Sequence, residues 1–96
     1  MKQYLSSEQT AKLIELGFEK PCSIASVEPI YGMGGISIAK AYSIGELIEM
    51  LGYDLYSMHY SGMSWEAKGE QVVVINQELI DALYDMIVLL KEEGVI

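Results

Sequence analysis

Leu47-Ile48-Glu49-Met50-Leu51-Gly52-Tyr53-Asp54 marks the place where the first, helix-flanked half of the chain gives way to a run of short β segments. Upstream, Ser43 with Glu46 three residues later forms a capping box, and Ile44, Leu47, Ile48 and Leu51 recur at the i, i+3, i+4, i+7 spacing of one helical face. Gly52 supplies the positive φ that closes a helix, and Tyr53 is placed to fold back on the last turn. The same signal occurs earlier as Leu13-Ile14-Glu15-Leu16-Gly17-Phe18-Glu19. It predicts a first helix over about 7–16, capped by Ser6 and Gln9, with Ala11, Ile14 and Phe18 on one face.

Between the two helices, Lys20-Pro21 stops further helix because the residue before proline is pushed to extended geometry. Residues 22–30 then place Cys22, Ile24 and Ile30 on one face of a strand, with Pro29 arguing for an edge. Tyr31-Gly32-Met33-Gly34-Gly35 reads as a turn, and residues 36–40 alternate as the returning strand of a hairpin.

Downstream of Gly52, residues 55–60, 63–68 and 71–75 are short runs separated by Ser61-Gly62 and Gly69-Glu70, the pattern of an antiparallel meander. Val72-Val73-Val74-Ile75 lacks alternation and is expected to be buried on both sides. Asn76 is expected to cap a last helix over about 77–93, ended by Gly94. In that helix Leu79, Ile80, Ala82, Leu83, Tyr84, Met86, Ile87, Leu89 and Leu90 sweep an apolar arc of roughly 220° at about 100° per residue. Glu78, Asp81, Asp85 and Glu92 form the polar remainder, interrupted by Val88. So wide an arc calls for cover on more than one side, by a sheet and another helix alone or by these with a second molecule.

The fold expected is therefore a single α+β domain over 1–96: a mainly antiparallel sheet of four or five strands packed by three helices, in the order α-ββ-α-βββ-α. The 51% hydrophobic and 21% charged content is that of a folding chain, not a disordered tail. Six lysines, no arginine and fourteen acids leave a net charge of -8, which argues against a nucleic-acid binder. With no apolar run near the ~20 residues of a membrane span and no secretory pattern at the start, the expected address is the cytoplasm, without a membrane partner. The lone Cys22 has no internal disulfide partner and is expected in the core or a strand, in a reducing compartment.

Reactive constellations were sought residue by residue. Gly32-Met33-Gly34-Gly35 lies between two strands, whereas phosphate loops lead into a helix, so a hairpin turn is the better reading. His59 is the only histidine, and Ser57, Ser61 and Ser64 near it reproduce no nucleophile pattern. One His and one distant Cys make no zinc set. Glu78, Asp81 and Asp85 share a helical face, but acids early in a helix also complement its dipole. No catalytic, cofactor or metal residue is therefore assigned. Tyr56, Met58 and Tyr60 fall on one face of a strand within reach of Trp65. With Ile80, Tyr84, Ile87 and Val88 of the last helix they are the candidate protein interface, on the alternative that their face is not core.

On Leu16-Gly17-Phe18, Pro21, Tyr42-Ser43 leading to Glu46-Leu47-Ile48, Trp65, and Glu78-Leu79-Ile80-Asp81-Ala82-Leu83, the chain resembles small proteins of unknown function carried by prophages and mobile elements. The resemblance covers most of the chain and implies no activity, and the glycines at 32–35 depart from it. The function expected is a non-enzymatic, self-associating accessory module that also binds a protein partner. Two other readings are an acidic inhibitor of a nucleic-acid enzyme, which needs carboxylates on one continuous face, and a small enzyme using His59, which needs that residue in a pocket with a carboxylate and a hydroxyl.

Overall fold

A computed structural model describes residues 2–30, 32 and 34–96. Along the chain come α1 (Ser7–Glu15), β1 (Ile24–Ile30), β2 (Gly35–Lys40), α2 (Ile44–Leu51), a 3-10 turn (Gly52–Asp54), β3 (Ser57–Tyr60), β4 (Trp65–Lys68), β5 (Val73–Asn76) and α3 (Leu79–Glu92). This is the expected α+β class and order. The strands are all antiparallel, but they form two sheets and not one: β1-β2, and a separate β3-β4-β5. Part of the 31–35 turn expectation, Tyr31 and Met33, lies outside the described residues.

The helix ends show how local grammar works here. Ser6 and Gln9 form the capping box of α1, and Ser43 and Glu46 that of α2. At the end of α1, the Gly17 N–H donates to the Ile14 carbonyl and the Phe18 N–H to the Leu13 carbonyl, at 3.0 and 3.2 Å. That double bond is a Schellman closure, with Gly17 at φ +103°. Gly94 and Val95 repeat it on α3, donating to Lys91 and Leu90. Gly52 differs. It is itself the cap of α2 and leads into the 3-10 turn, so Tyr53 does not fold back and is fully exposed, whereas Phe18 packs against the core. Asn76 is not the cap of α3 either. It ends β5 and accepts the Glu78 N–H on its Oδ1, and Glu78 takes the cap position.

Seven residues of α3 are buried inside one molecule: Leu79, Ile80, Ala82, Leu83, Met86, Ile87 and Leu90. At about 1.5–3 kcal/mol for each large side chain, this helix is the largest source of burial energy in the fold. Its arc is wide because it is covered on several sides. β4 and β5 pack on it, α2 packs beside it through Leu47 and Leu51, and the amino-terminal segment closes a third side. Of the two alternatives for α3, cover within the molecule is the one observed, and Ile80 and Ile87, with no exposed area, are removed from the candidate interface. Tyr84 and Val88 are half-buried and also pack against the core.

The hairpin β1-β2 is tied at its base. Ala41 N–H donates to the Ser23 carbonyl, Cys22 N–H donates to Glu46 Oε2 at 3.1 Å, and the Tyr42 hydroxyl donates to the Glu19 carbonyl. Beyond that base, each strand packs almost wholly on the other. The molecule extends 52 Å along its longest axis and 18 Å along its shortest, and its radius of gyration of 15.0 Å exceeds the roughly 12.5 Å of a compact chain this long. Cys22 is exposed just before β1, not in a core or strand as expected.

Candidate functional site

Register and pleat assign the faces of the three-stranded sheet. Met58 pairs with Ala67 and Ala67 with Val74, while Tyr60 pairs with Trp65 and Trp65 with Asn76. Paired residues share a face, so these side chains, and Tyr56 by continuation, lie on the side that carries α3. Ala67 is wholly buried there, and Trp65 and Val74 pack against the core. The opposite face carries Ser57, Lys68 and Val73, and His59, Glu66 and Ile75. Val73 and Ile75 are exposed, so the expectation that residues 72–75 are buried on both sides is corrected: β5 is the edge of a sheet whose outer face meets solvent.

The helix covers only part of its face. α3 packs across β4 and β5, and β3 extends past it. Tyr56, Met58 and Tyr60 therefore stand on the core side of the sheet but are 61%, 39% and 51% exposed. The Tyr60 ring leans on Trp65, with centroids 5.1 Å apart and planes at 44°, and its hydroxyl donates to the Gly62 carbonyl at 3.0 Å. The turn at 61–64, tied by the Ser61 N–H to the Ser64 carbonyl, lifts Met63 to 87% exposure beside them. Met63 was not among the sequence candidates, although its place after Ser61-Gly62 marks it as a turn tip. Of those candidates the structure brings together Tyr56, Met58, Tyr60 and Trp65 on one face of the sheet, and places Ile80, Ile87, Tyr84 and Val88 in the α3 packing, to which Trp65 also belongs.

His59 lies exposed on β3, opposite Glu66, and lines none of the cavities described. A histidine base requires such a pocket. Four acids, Glu46, Glu78, Asp81 and Asp85, are held by partners. Lys2 Nζ bonds Asp81 Oδ1 at 2.9 Å and Gln9 Oε1 at 3.0 Å, and Gln9 Nε2 donates to the same Asp81 oxygen at 2.9 Å. Burial alone would raise the Asp81 pKa, but the Gln9 and Lys2 hydrogen bonds and the Lys2 charge outweigh it and hold the carboxyl below its ordinary range. Glu46 follows the same logic: burial raises its pKa, and bonds from the Ser23 side chain, the Cys22 N–H and Ser43 lower it further than burial lifts it. Asp85 accepts from the Asn76 amide at 3.3 Å.

A cavity of about 400 Å³ opens where the end of α3 meets the β4-β5 turn, with the carboxylates of Asp54, Glu70 and Glu93 beside Leu89, Leu90 and Val95. Among the described residues, no three His, Cys, Asp or Glu side chains converge as a metal site would require. No helix among them is long and apolar enough to cross a membrane.

Comparisons of the chain with protein-family profiles, with curated proteins and with solved structures return no match. The surface of β3 thus has to be interpreted from its own chemistry.

Proposed function

We propose that this chain is a protein-binding accessory module without catalytic activity, docking through the uncovered part of β3. The supporting observation is that the helical layer stops at β4 and leaves the apolar side of β3 bare. Taking about 200 Å² for a fully exposed aromatic or methionine side chain, Tyr56, Met58, Tyr60 and Met63 together present about 500 Å². A contiguous apolar patch of that size on a monomer is commonly an interaction site. Aromatic side chains also deliver contact area at low entropic cost, and both they and methionine are enriched in interfaces. The proposal places the protein in the cytoplasm, in the service of a mobile element, in keeping with the resemblance in its sequence.

The test is a comparison of two baits in extract of the native cell: the intact protein and the variant Tyr56→Lys/Tyr60→Lys. Both residues are largely exposed, so the variant retains the native circular dichroism. Proteins captured by the first and lost by the second support the reading. Identical captured sets with the two baits overturn it.

A further inference from the structure

We propose that the occupant of this surface is a second copy of the chain, joined by antiparallel pairing of β3 with its counterpart about a two-fold axis, so that two three-stranded sheets become one of six strands. The inference rests on β3 being the docking surface and adds the identity of what docks.

Four observations carry it. First, β3 terminates the order β3-β4-β5, so the outward N–H and C=O groups of Ser57–Tyr60 have no strand beside them among the described residues. Sheet edges are commonly guarded by shortness, proline, lysine, a bulge or an inward charge; β3 is short, at four residues, but carries none of the others. Second, a chain of net charge -8 repels its own copy over most of its surface, yet residues 55–65 contain no charged side chain with His59 neutral. A seam along β3 therefore lets two acidic molecules meet without setting like charges opposite each other.

Third, the exposed side chains of β3 match those of its own copy in a two-fold arrangement. An axis normal to the sheet keeps the helix-bearing sides of both copies together. With Met58 on the axis, Tyr56 lies opposite the partner's Tyr60, and Met58 opposite the partner's Met58. Side chains so opposed are about 4.5–5.5 Å apart at Cβ and shield one another from water. The remaining edge, β5, exposes Val73 and Ile75 on the other face of the sheet, so joining β3 to β5 opposes no exposed apolar pair and extends without closing. Fourth, the patch presents about 500 Å², against the roughly 800 Å² each partner contributes to a stable interface.

The experiment is sedimentation equilibrium of the full chain over the micromolar range, beside Met58→Lys, with circular dichroism as the check on folding. The expected result is a mass of two chains for the native protein and one for Met58→Lys, with association weakened more than about tenfold. A second measurement uses Met58→Cys in a Cys22→Ser background, which forms an intermolecular disulfide on mild oxidation because a residue at the axis meets its own copy. Val73→Cys in the same background does not. A native protein that stays monomeric, a dimer indifferent to Met58→Lys, or open-ended filaments each overturn the pairing. If the monomer still captures a protein that Tyr56→Lys/Tyr60→Lys loses, only the second copy is refuted and β3 remains a docking surface.

Discussion

Gln9 Nε2 donates to Asp81 Oδ1 at 2.9 Å, across 72 residues of sequence, while the Oε1 of the same amide accepts the Ser6 N–H at 3.0 Å and closes the capping box of α1. One side chain thus ends a helix and ties it to the first turn of another. A capping box accepts Glu as readily as Gln. The tie to Asp81 does not, because a carboxylate cannot donate and would add a like charge. Gln9→Glu is therefore expected to destabilise the fold by about 1–3 kcal/mol by urea denaturation, although it preserves the local cap. A neutral outcome would show that the amide acts only locally.

Thr10, one residue further on, is buried, and its hydroxyl has no hydrogen-bond partner among the described residues. An unsatisfied buried hydroxyl costs about 1–3 kcal/mol, and replacing it by a methyl of similar shape removes that cost. Thr10→Val is expected to raise the melting temperature, the reverse of what most core substitutions do.

Two glycines separate backbone crowding from helix propensity. A Cβ on Gly69 would stand 2.7 Å from the Asp54 carbonyl oxygen, a backbone atom that cannot turn aside. Gly69→Ala is expected to cost about 1–3 kcal/mol. At Gly45, inside α2, a Cβ meets only the Ser43 hydroxyl at 3.9 Å. Gly45→Ala is expected to stabilise by about 0.5 kcal/mol in the same denaturation assay.

Stability should fall at both ends of the pH scale. Glu46 and Asp81 have lowered pKa values, so the folded state holds fewer protons than the unfolded one in acid. Their contribution is complete above the ordinary carboxylate range, about pH 4–4.5, and is lost as pH drops through the lower folded values. Tyr42 is raised by burial and by the charges of Glu46 and Glu19, and Tyr84 by burial and Asp85. Their contribution is complete below about pH 10 and is lost as pH rises through the higher folded values. Thermal melts across the range check both limbs, and Asp81→Asn is expected to flatten the acid one.

The β1-β2 hairpin is expected to be dispensable for folding. An isolated two-stranded hairpin is marginal in water. Its amides should exchange far faster than those of α3, and replacing residues 25–39 by a short Gly/Ser link should move the melting temperature by less than about 5 °C.

The limits of sequence reading show at particular residues. The capping boxes at Ser6 and Ser43 and the glycine closures at Gly17 and Gly94 involve groups within six residues of one another, and their residue types are sufficient to name them. Asn76 and Tyr53 were misread for the opposite reason. Whether an Asx side chain caps a helix or ends a strand, and whether an aromatic folds back or points outward, depends on the path of the neighbouring chain. The apolar run 72–75 likewise carries no sign that its second face would meet water, because that depends on which strand lies at an edge.

Composition, periodicity and capping by themselves determined three helices, five strand segments, their order and the absence of a basic surface, because helix and strand periods and turn chemistry act over a few residues. Only the tertiary structure decided that the strands divide into two sheets, that α3 is sheltered within one molecule, and that β3 is the strand left uncovered. Those outcomes depend on which surfaces meet across dozens of residues, and a burial energy that depends on area alone leaves no periodic trace of its partner in the sequence.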